Sequence, residues 1–168
     1  LKKIYQKLNF LFYKKNFLYK INSNMLIKKI SNKNEESFFG YYGKSPLNKL
    51  NKYLIFHSTS HKTIHKPDNK KSINIVLFDF ENNIPIKIFK TFAYNWQQGS
   101  KLQWVDENFF IFNYYDKNKD VYISKIIDSR KNKIHKIIDY PIYDVMFDFA
   151  LSVNFDRLSF YEPDYGYK

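Results

Sequence analysis

Residues 73–92 read INIVLFDFENNIPIKIFKTF. Two β-prone runs, Ile73–Phe80 and Ile84–Phe92, flank the short polar joint Glu81-Asn82-Asn83, which is the pattern of an antiparallel hairpin. Asp79 closes the first run just before the turn. The same pattern recurs further on. DVYISKIID (120–128) leads through the polar turn SRKNK (129–133) into KIHKIIDY (133–140), and Asp128 stands where Asp79 stood, 49 residues earlier. Upstream of each hairpin lies another apolar run, KYLIFHS (52–58) before the first and FFIFN (109–113) before the second. A third round opens at PIYDVMFDFALSVNF (141–155).

A unit of about 40–50 residues holding three or four antiparallel strands is what a β-propeller blade requires. A β-sandwich also offers short strands and regular turns. The strand–turn–strand correspondence favours the propeller. The expected fold is therefore all-β, a partial β-propeller of about two and a half blades of antiparallel strands, preceded by a basic N-terminal helix. The expected divisions are residues 1–30 for that helix, 31–37 (SNKNEES) for a polar linker and 38–168 for the incomplete propeller. Propellers are built from at least four blades, and the chain runs from Leu1 to Lys168, so the expectation is a fragment of a longer protein.

Composition agrees with a folded, sheet-rich chain: 168 residues, 44% hydrophobic and 20% aromatic, with 15 Tyr and 17 Phe against 4 Gly. There is no Cys, which excludes disulfides, thiolate metal sites and Cys nucleophiles and fits a reducing, cytoplasmic location. The net charge of +12 is unevenly spread. Residues 1–30 hold eight Lys and no acid, leaving 20 basic against 16 acidic residues in the rest. A body so nearly balanced, without a nucleic-acid motif, argues against specific nucleic-acid binding. In the N-terminal segment, Ile4, Tyr5, Leu8, Leu11 and Phe12 follow helical spacing. Such a basic amphipathic helix is either solvated, packed on a partner, or laid on an anionic membrane surface.

The motifs with most chemical content are FFGYYGKSP (38–46), NWQQGSKLQW (95–104), FIFNYYD (110–116), PIYDV (141–145) and NFDRLSFYEPDYGY (154–167). In this order they resemble a family of bacterial WD-repeat-like β-propeller proteins, some encoded near surface-polysaccharide genes. The family pattern looks like FFGYYDKSP, then a WNWQQG…LQW block, an IIYND-like strand and a closing F.RL…PGYGY. The resemblance spans roughly residues 38–168. It implies a propeller and, as partner, a glycan or a glycan-biosynthesis protein, without an established chemistry. This chain departs from the pattern at Gly43, where the family has an acid, at Asp164, and in the strand end Asn113-Tyr114-Tyr115-Asp116. No acidic role is carried over to position 43.

Candidate ligand-binding residues are Tyr41, Tyr42, Lys44, His57, Asn95, Trp96, Gln97, Gln98 and Arg157. Gln97 and Gln98 have amides that donate and accept, as sugar hydroxyls require. Trp96 and Trp104 offer flat apolar faces, and Gly99 suits a tight turn or close backbone approach. The competing reading gives the tryptophans to the core between blades and the amides to strand edges. Arg157 suits a bidentate carboxylate or phosphate contact, against an internal pair with Asp156 or Asp148. His57, His61 and His65 have even spacing, but the Ser, Thr and Pro around them make a loop, and no metal site is expected. His57, at the end of its strand, is the strongest of the three as a ligand contact. No cofactor motif of the GxGxxG, GxxxxGK[ST] or GxSxG kind occurs. The expected function is a propeller binding or scaffold module linked to bacterial surface-glycan metabolism. The alternative is a carbohydrate-processing propeller enzyme, a lyase or hydrolase, with His57, Gln97, Gln98 and Arg157 in its pocket.

Overall fold

The computed structural model describes residues 2–12, 24, 28–40, 42–68, 70–146 and 148–167. Ten strands and two helices follow one another along the described chain. The run that begins the first hairpin forms β3 (Ile73–Asp79), nearly all of it buried. An uninterrupted apolar strand of this kind needs cover on both faces. β3 pairs antiparallel with β2 (Tyr53–Thr59) on one side and β4 (Ile84–Thr91) on the other. The three-residue β1 (Glu36–Phe38) adds to β2, giving a four-stranded sheet in chain order.

A second sheet is built the same way from β5 (Gln103–Trp104), β6 (Phe109–Asp116), β7 (Val121–Asp128) and β8 (Lys133–Ile138). A two-stranded hairpin, β9 (Ile142–Met146) and β10 (Phe149–Ser152), opens a third unit. The chain is mostly β, and every strand pair is antiparallel.

The two sheets repeat each other residue by residue. Leu54 pairs with Phe78 and His57 with Ile75; 56 and 49 residues on, Phe110 pairs with Ile127 and Asn113 with Ser124. The fourth strand bulges, with Ile86 the extra residue opposite Leu77 and Phe78 in one sheet and His135 opposite Ile126 and Ile127 in the other, the same place in the unit. Each bulge adds local twist next to the turn. In both turns an aspartate caps the backbone: Asp79 Oδ1 accepts from Asn82 N at 2.8 Å, Asp128 Oδ1 from Arg130 N at 2.9 Å. Each turn ends on an asparagine with positive φ, 59° at Asn83 and 56° at Asn132, a conformation asparagine tolerates better than most residues.

Alternation along the strands divides the core. Ile55, Ile75 and Leu77 face the second sheet and pack with Leu102, Phe110, Phe112 and Ile127. Phe89 meets Phe110 edge to face at 6.1 Å. On the opposite face Leu54, Phe56, Val76 and Phe78 are covered by Ile30 and Leu47. A third cluster holds Ala93, Phe155 and Tyr167, with Phe155 and Tyr167 stacked at 4.1 Å.

Two features differ from the sequence expectation. The polar stretch 31–37 runs into β1, whose residues become a strand through pairing with β2 rather than through composition. NFDRLSFYEPDYGY forms a helix, α2 (Phe155–Tyr161), not further strand. Asn154 caps it, its side chain accepting from Arg157 N at 2.9 Å, and Asp156 adds a negative charge to the first turn. Of the 1–30 segment, α1 covers Lys2–Phe12, with Ile4, Tyr5, Leu8, Leu11 and Phe12 exposed, and most of the remainder lies outside the described residues. No described helix is long and apolar enough to cross a membrane.

Candidate functional site

The segment Asn95–Trp104 connects β4 to β5 and so joins the two sheets. Asn95 organises its first half. The Asn95 side chain accepts from Gln98 N at 2.6 Å and donates to Tyr165 O at 2.9 Å, while Asn95 and Gly99 exchange backbone hydrogen bonds at 3.2 and 2.9 Å. Gly99 has φ +61°, and a Cβ there would lie 2.3 Å from His57 Cε1. Only glycine meets both conditions.

His57 is fully buried, with Phe38 stacked on its ring at 4.7 Å. Its Nε2 accepts from Ser100 N at 3.0 Å and lies 2.9 Å from Ser100 Oγ. A backbone N–H can only donate, so Nε2 is the bare nitrogen, and Nδ1 carries the proton toward Phe38 O at 3.3 Å. Burial holds the imidazole neutral, pulling its pKa down to about 4 against the opposing pull of the Phe38 and Phe39 backbone.

Asn113, the counterpart of His57, has the same duty. It accepts from Ile142 N at 2.8 Å and donates to Ile142 O at 3.0 Å, and it also binds Ser124 and Tyr167. Each of these side chains thus reaches from its own sheet to the backbone N–H of the segment that enters the next. Ser100 joins the two, since its carbonyl accepts from Asn113 N at 2.8 Å.

Beyond Gly99 the chain lines a narrow cleft bounded by Phe39, Lys44, Gln98, Lys101, Leu102 and Gln103. Gly40 presses on the Gln98 backbone from the far side, where a Cβ would sit 2.8 Å from Gln98 O. Gln103 is fully engaged: Oε1 accepts from Val145 N at 3.0 Å, and Nε2 donates to Lys101 O at 3.2 Å. Gln98 is not. Its Nε2 makes a long contact to the Tyr143 hydroxyl at 3.4 Å, and its Oε1, though buried, has no partner among the described residues. Only Asn132 Oδ1 shares that condition among the described residues. A buried acceptor left empty costs roughly 1–3 kcal/mol.

The cleft is positive. Lys101 Nζ lies 3.7 Å from the centre of the Tyr143 ring and has no ion pair among the described residues. Burial lowers its pKa, Asp144 opposes that, and Lys44 adds to it. Lys44 is paired to Asp144 and also donates to Val145 O at 3.3 Å. Two ammonium groups therefore face one carboxylate.

The expected site residues scatter around this junction. Lys44 and Gln98 line the cleft. Asn95 and His57 lie behind it, buried and with their polar atoms engaged. Trp96 donates to His65 O at 2.7 Å and meets Phe38 edge to face, while Gln97 is exposed on the turn. Tyr42 is exposed, and Tyr41 lies outside the described residues. Arg157 is on α2, exposed, with no ion pair to Asp156 or Asp148 among the described residues. His57 points inward, His61 bonds Thr59 Oγ1 at 3.0 Å and His65 is exposed, so the three imidazoles lie in different settings. Lys101, Gln103 and Tyr143 are the cleft residues that sequence reasoning passed over. The signal for them was adjacency: Lys101 and Gln103 come just after the NWQQG turn, and Tyr143 lies in PIYDV. Compared with protein-family models, curated proteins and solved structures, the chain has no match.

Proposed function

We propose that the chain is part of a β-propeller binding or scaffold module that engages bacterial surface glycans or the proteins that make them, in the cytoplasm. The observation that carries the propeller reading is the register-true repeat of two four-stranded meanders, with the same bulge, the same Asp-capped turn and a buried polar side chain tying each unit to the next. Sequential meanders repeated in this way are the building plan of propeller blades. Support for the glycan comes from the motif resemblance and from the cleft, where amides, an aromatic ring and ammonium groups converge as saccharide recognition requires. The test is a glycan array probed with the full chain, followed by calorimetric titration of the best hit. Saturable binding to a saccharide is the expected result, and no binding to any saccharide overturns the reading.

One observation favours the enzymatic alternative. Asp156, in a second cleft lined by Asp120, Tyr122, Tyr140 and Phe155, has its pKa raised by burial and by Asp120. A carboxyl whose proton is held more tightly than usual beside a second carboxylate is what a general acid in glycoside chemistry starts from. Turnover of a bound saccharide, abolished in Asp156→Asn, would establish that reading; a saccharide bound and released unchanged supports the binding module. The exposed apolar face of α1, with Lys7 beside it, keeps an anionic membrane surface as a further partner. Sedimentation with phosphatidylserine vesicles, lost in high salt, is the expected sign.

A further inference from the structure

Two surfaces of the described chain face solvent with features that suit each other. The first is α1, whose residues Ile4, Tyr5, Leu8, Leu11 and Phe12 form one apolar face and are all exposed. Residues 1–12 hold Lys2, Lys3 and Lys7 and no acid. The second is the Asp156 cleft, at the ends of β7 and β10 and the start of α2, with a volume of about 340 Å³. A cavity of roughly 150 Å³ holds a benzene ring, so this one admits two large side chains. In its lining Phe155 is buried, Tyr122 half-buried, and Val121 and Tyr140 exposed. Asp120, Asp139 and Asp156 bring three exposed carboxylates to it, and among the described residues Lys119 alone pairs with one of them, at 3.9 Å from Asp139. Burial and the neighbouring Asp120 raise the pKa of Asp156, and a cation beside them would relieve both carboxylates. Even Leu8, the least exposed of the five apolar helix residues, is 48% exposed, so α1 is not seated in the cleft of its own chain.

We infer that α1 of a second copy docks in this cleft, with Leu8, Leu11 and Phe12 against its aromatic lining and the lysines of the helix against its carboxylates. An amphipathic helix in an apolar groove anchors through residues at i, i+3 and i+4, the spacing of these three. Opposite charges at the rim fix the orientation and disfavour other seats. A helix of 11 residues is about 16 Å long, and one such contact is small against the roughly 1,600 Å² of a standard interface. Exchange in both directions about a twofold axis doubles it. The expected assembly is therefore a dimer in which each copy gives its helix and receives the other's. This goes beyond the glycan reading and does not depend on it. A cleft filled by a helix is closed to a saccharide, so the dimer and an enzymatic role for Asp156 exclude each other.

The experiment is sedimentation velocity of the full chain over a wide range of concentration, at low and at high salt. A monomer–dimer equilibrium is expected, weaker in high salt. Leu8→Asp, on the exposed helix face, should abolish the dimer while the monomer stays folded. Asp139→Lys combined with Asp156→Lys should weaken the dimer by about tenfold or more. A chain that is monomeric at every concentration overturns the inference, and a monomer that sediments with phosphatidylserine vesicles assigns α1 to a membrane instead. A dimer that survives Leu8→Asp, or that is indifferent to the aspartate pair, also overturns it, because the contact then lies elsewhere. If Asp156→Lys does not fold, judged by its melting curve, Asp139→Lys alone replaces the pair, and a dimer unaffected by it counts against the inference.

Discussion

The first and second sheets share a strand plan, a bulge and a turn, yet they differ at the residue that ties each sheet to the next unit of the chain. In the first sheet that residue is His57, in the second Asn113. The imidazole is the larger group, and the backbone passing it must be stripped of its side chain, which is why Gly99 stands there with positive φ. The smaller amide has Pro141 and Ile142 passing it instead, and room for Tyr167, whose hydroxyl oxygen accepts from Asn113 Nδ2 at 2.9 Å. A repeat can thus keep a duty, here the capture of the next unit's backbone N–H, while changing the chemistry that performs it. The change has a consequence for pH: an asparagine does not titrate, whereas a buried neutral histidine does.

The largest effect is expected from Asn113→Ala. It removes four hydrogen bonds at once, while Ile142 N keeps Ser124 Oγ and Ser124 Oγ keeps Tyr140 O. A loss of about 4 kcal/mol in a denaturant titration at pH 7 is expected. A loss under about 1 kcal/mol would break the claim that this side chain ties the second sheet to the third unit.

Gly99→Ala comes next, at about 3 kcal/mol, from left-handed backbone strain together with the clash on the His57 ring. Gly43→Ala is its control. A Cβ there meets nothing within 4 Å, and the change should stay within about 0.5 kcal/mol. If the two substitutions cost the same, the close fit between His57 and the connecting segment is wrong.

The pH dependence separates the two ties. His57 has a folded pKa of about 4 against 6.5 in the unfolded chain. Between those values the unfolded chain binds the extra proton, so stability is flat above pH 6.5, falls as the pH drops toward 4, and levels off below that as far as this residue is concerned. The drop is on the order of 3 kcal/mol. Replacing His57 by Asn, its counterpart in the second sheet, should flatten that part of the curve whatever it does at pH 7. A slope unchanged by the replacement would place its origin elsewhere.

The smallest effect has the opposite sign. Gln98→Met removes a buried oxygen without a partner among the described residues and should raise stability by about 1 kcal/mol. A loss of stability instead would mean that the Gln98 amide is satisfied within the fold.

Much of the scaffold could be read from the chain because its signals are local. The runs that became β2, β3, β6 and β7 are rich in β-branched and aromatic residues, and Asp79 and Asp128 announce the turns after β3 and β7. β1 escaped because Glu36-Ser37-Phe38 has no strand character of its own and borrows it from β2. α2 escaped because its seven residues are too few to show helical spacing, although Asn154 at the cap and Asp156 after it were present as signals. The site was half visible. Gln98 and Lys44 were identified from their motifs, but the partnership of Lys101 with Tyr143 joins residues 42 positions apart, and no spacing rule reports it. His57 was picked out for its position at a strand end. The fold sets it instead as a fully buried tie between sheets.

The most direct test of that tie is the titration of His57 itself, followed by nitrogen and proton NMR of its ring from pH 8 to pH 4. A neutral ring is expected, with the proton on Nδ1 and no protonation until the pH approaches 4. A His57 that titrates near 6.5, or carries its proton on Nε2, would contradict the buried tie.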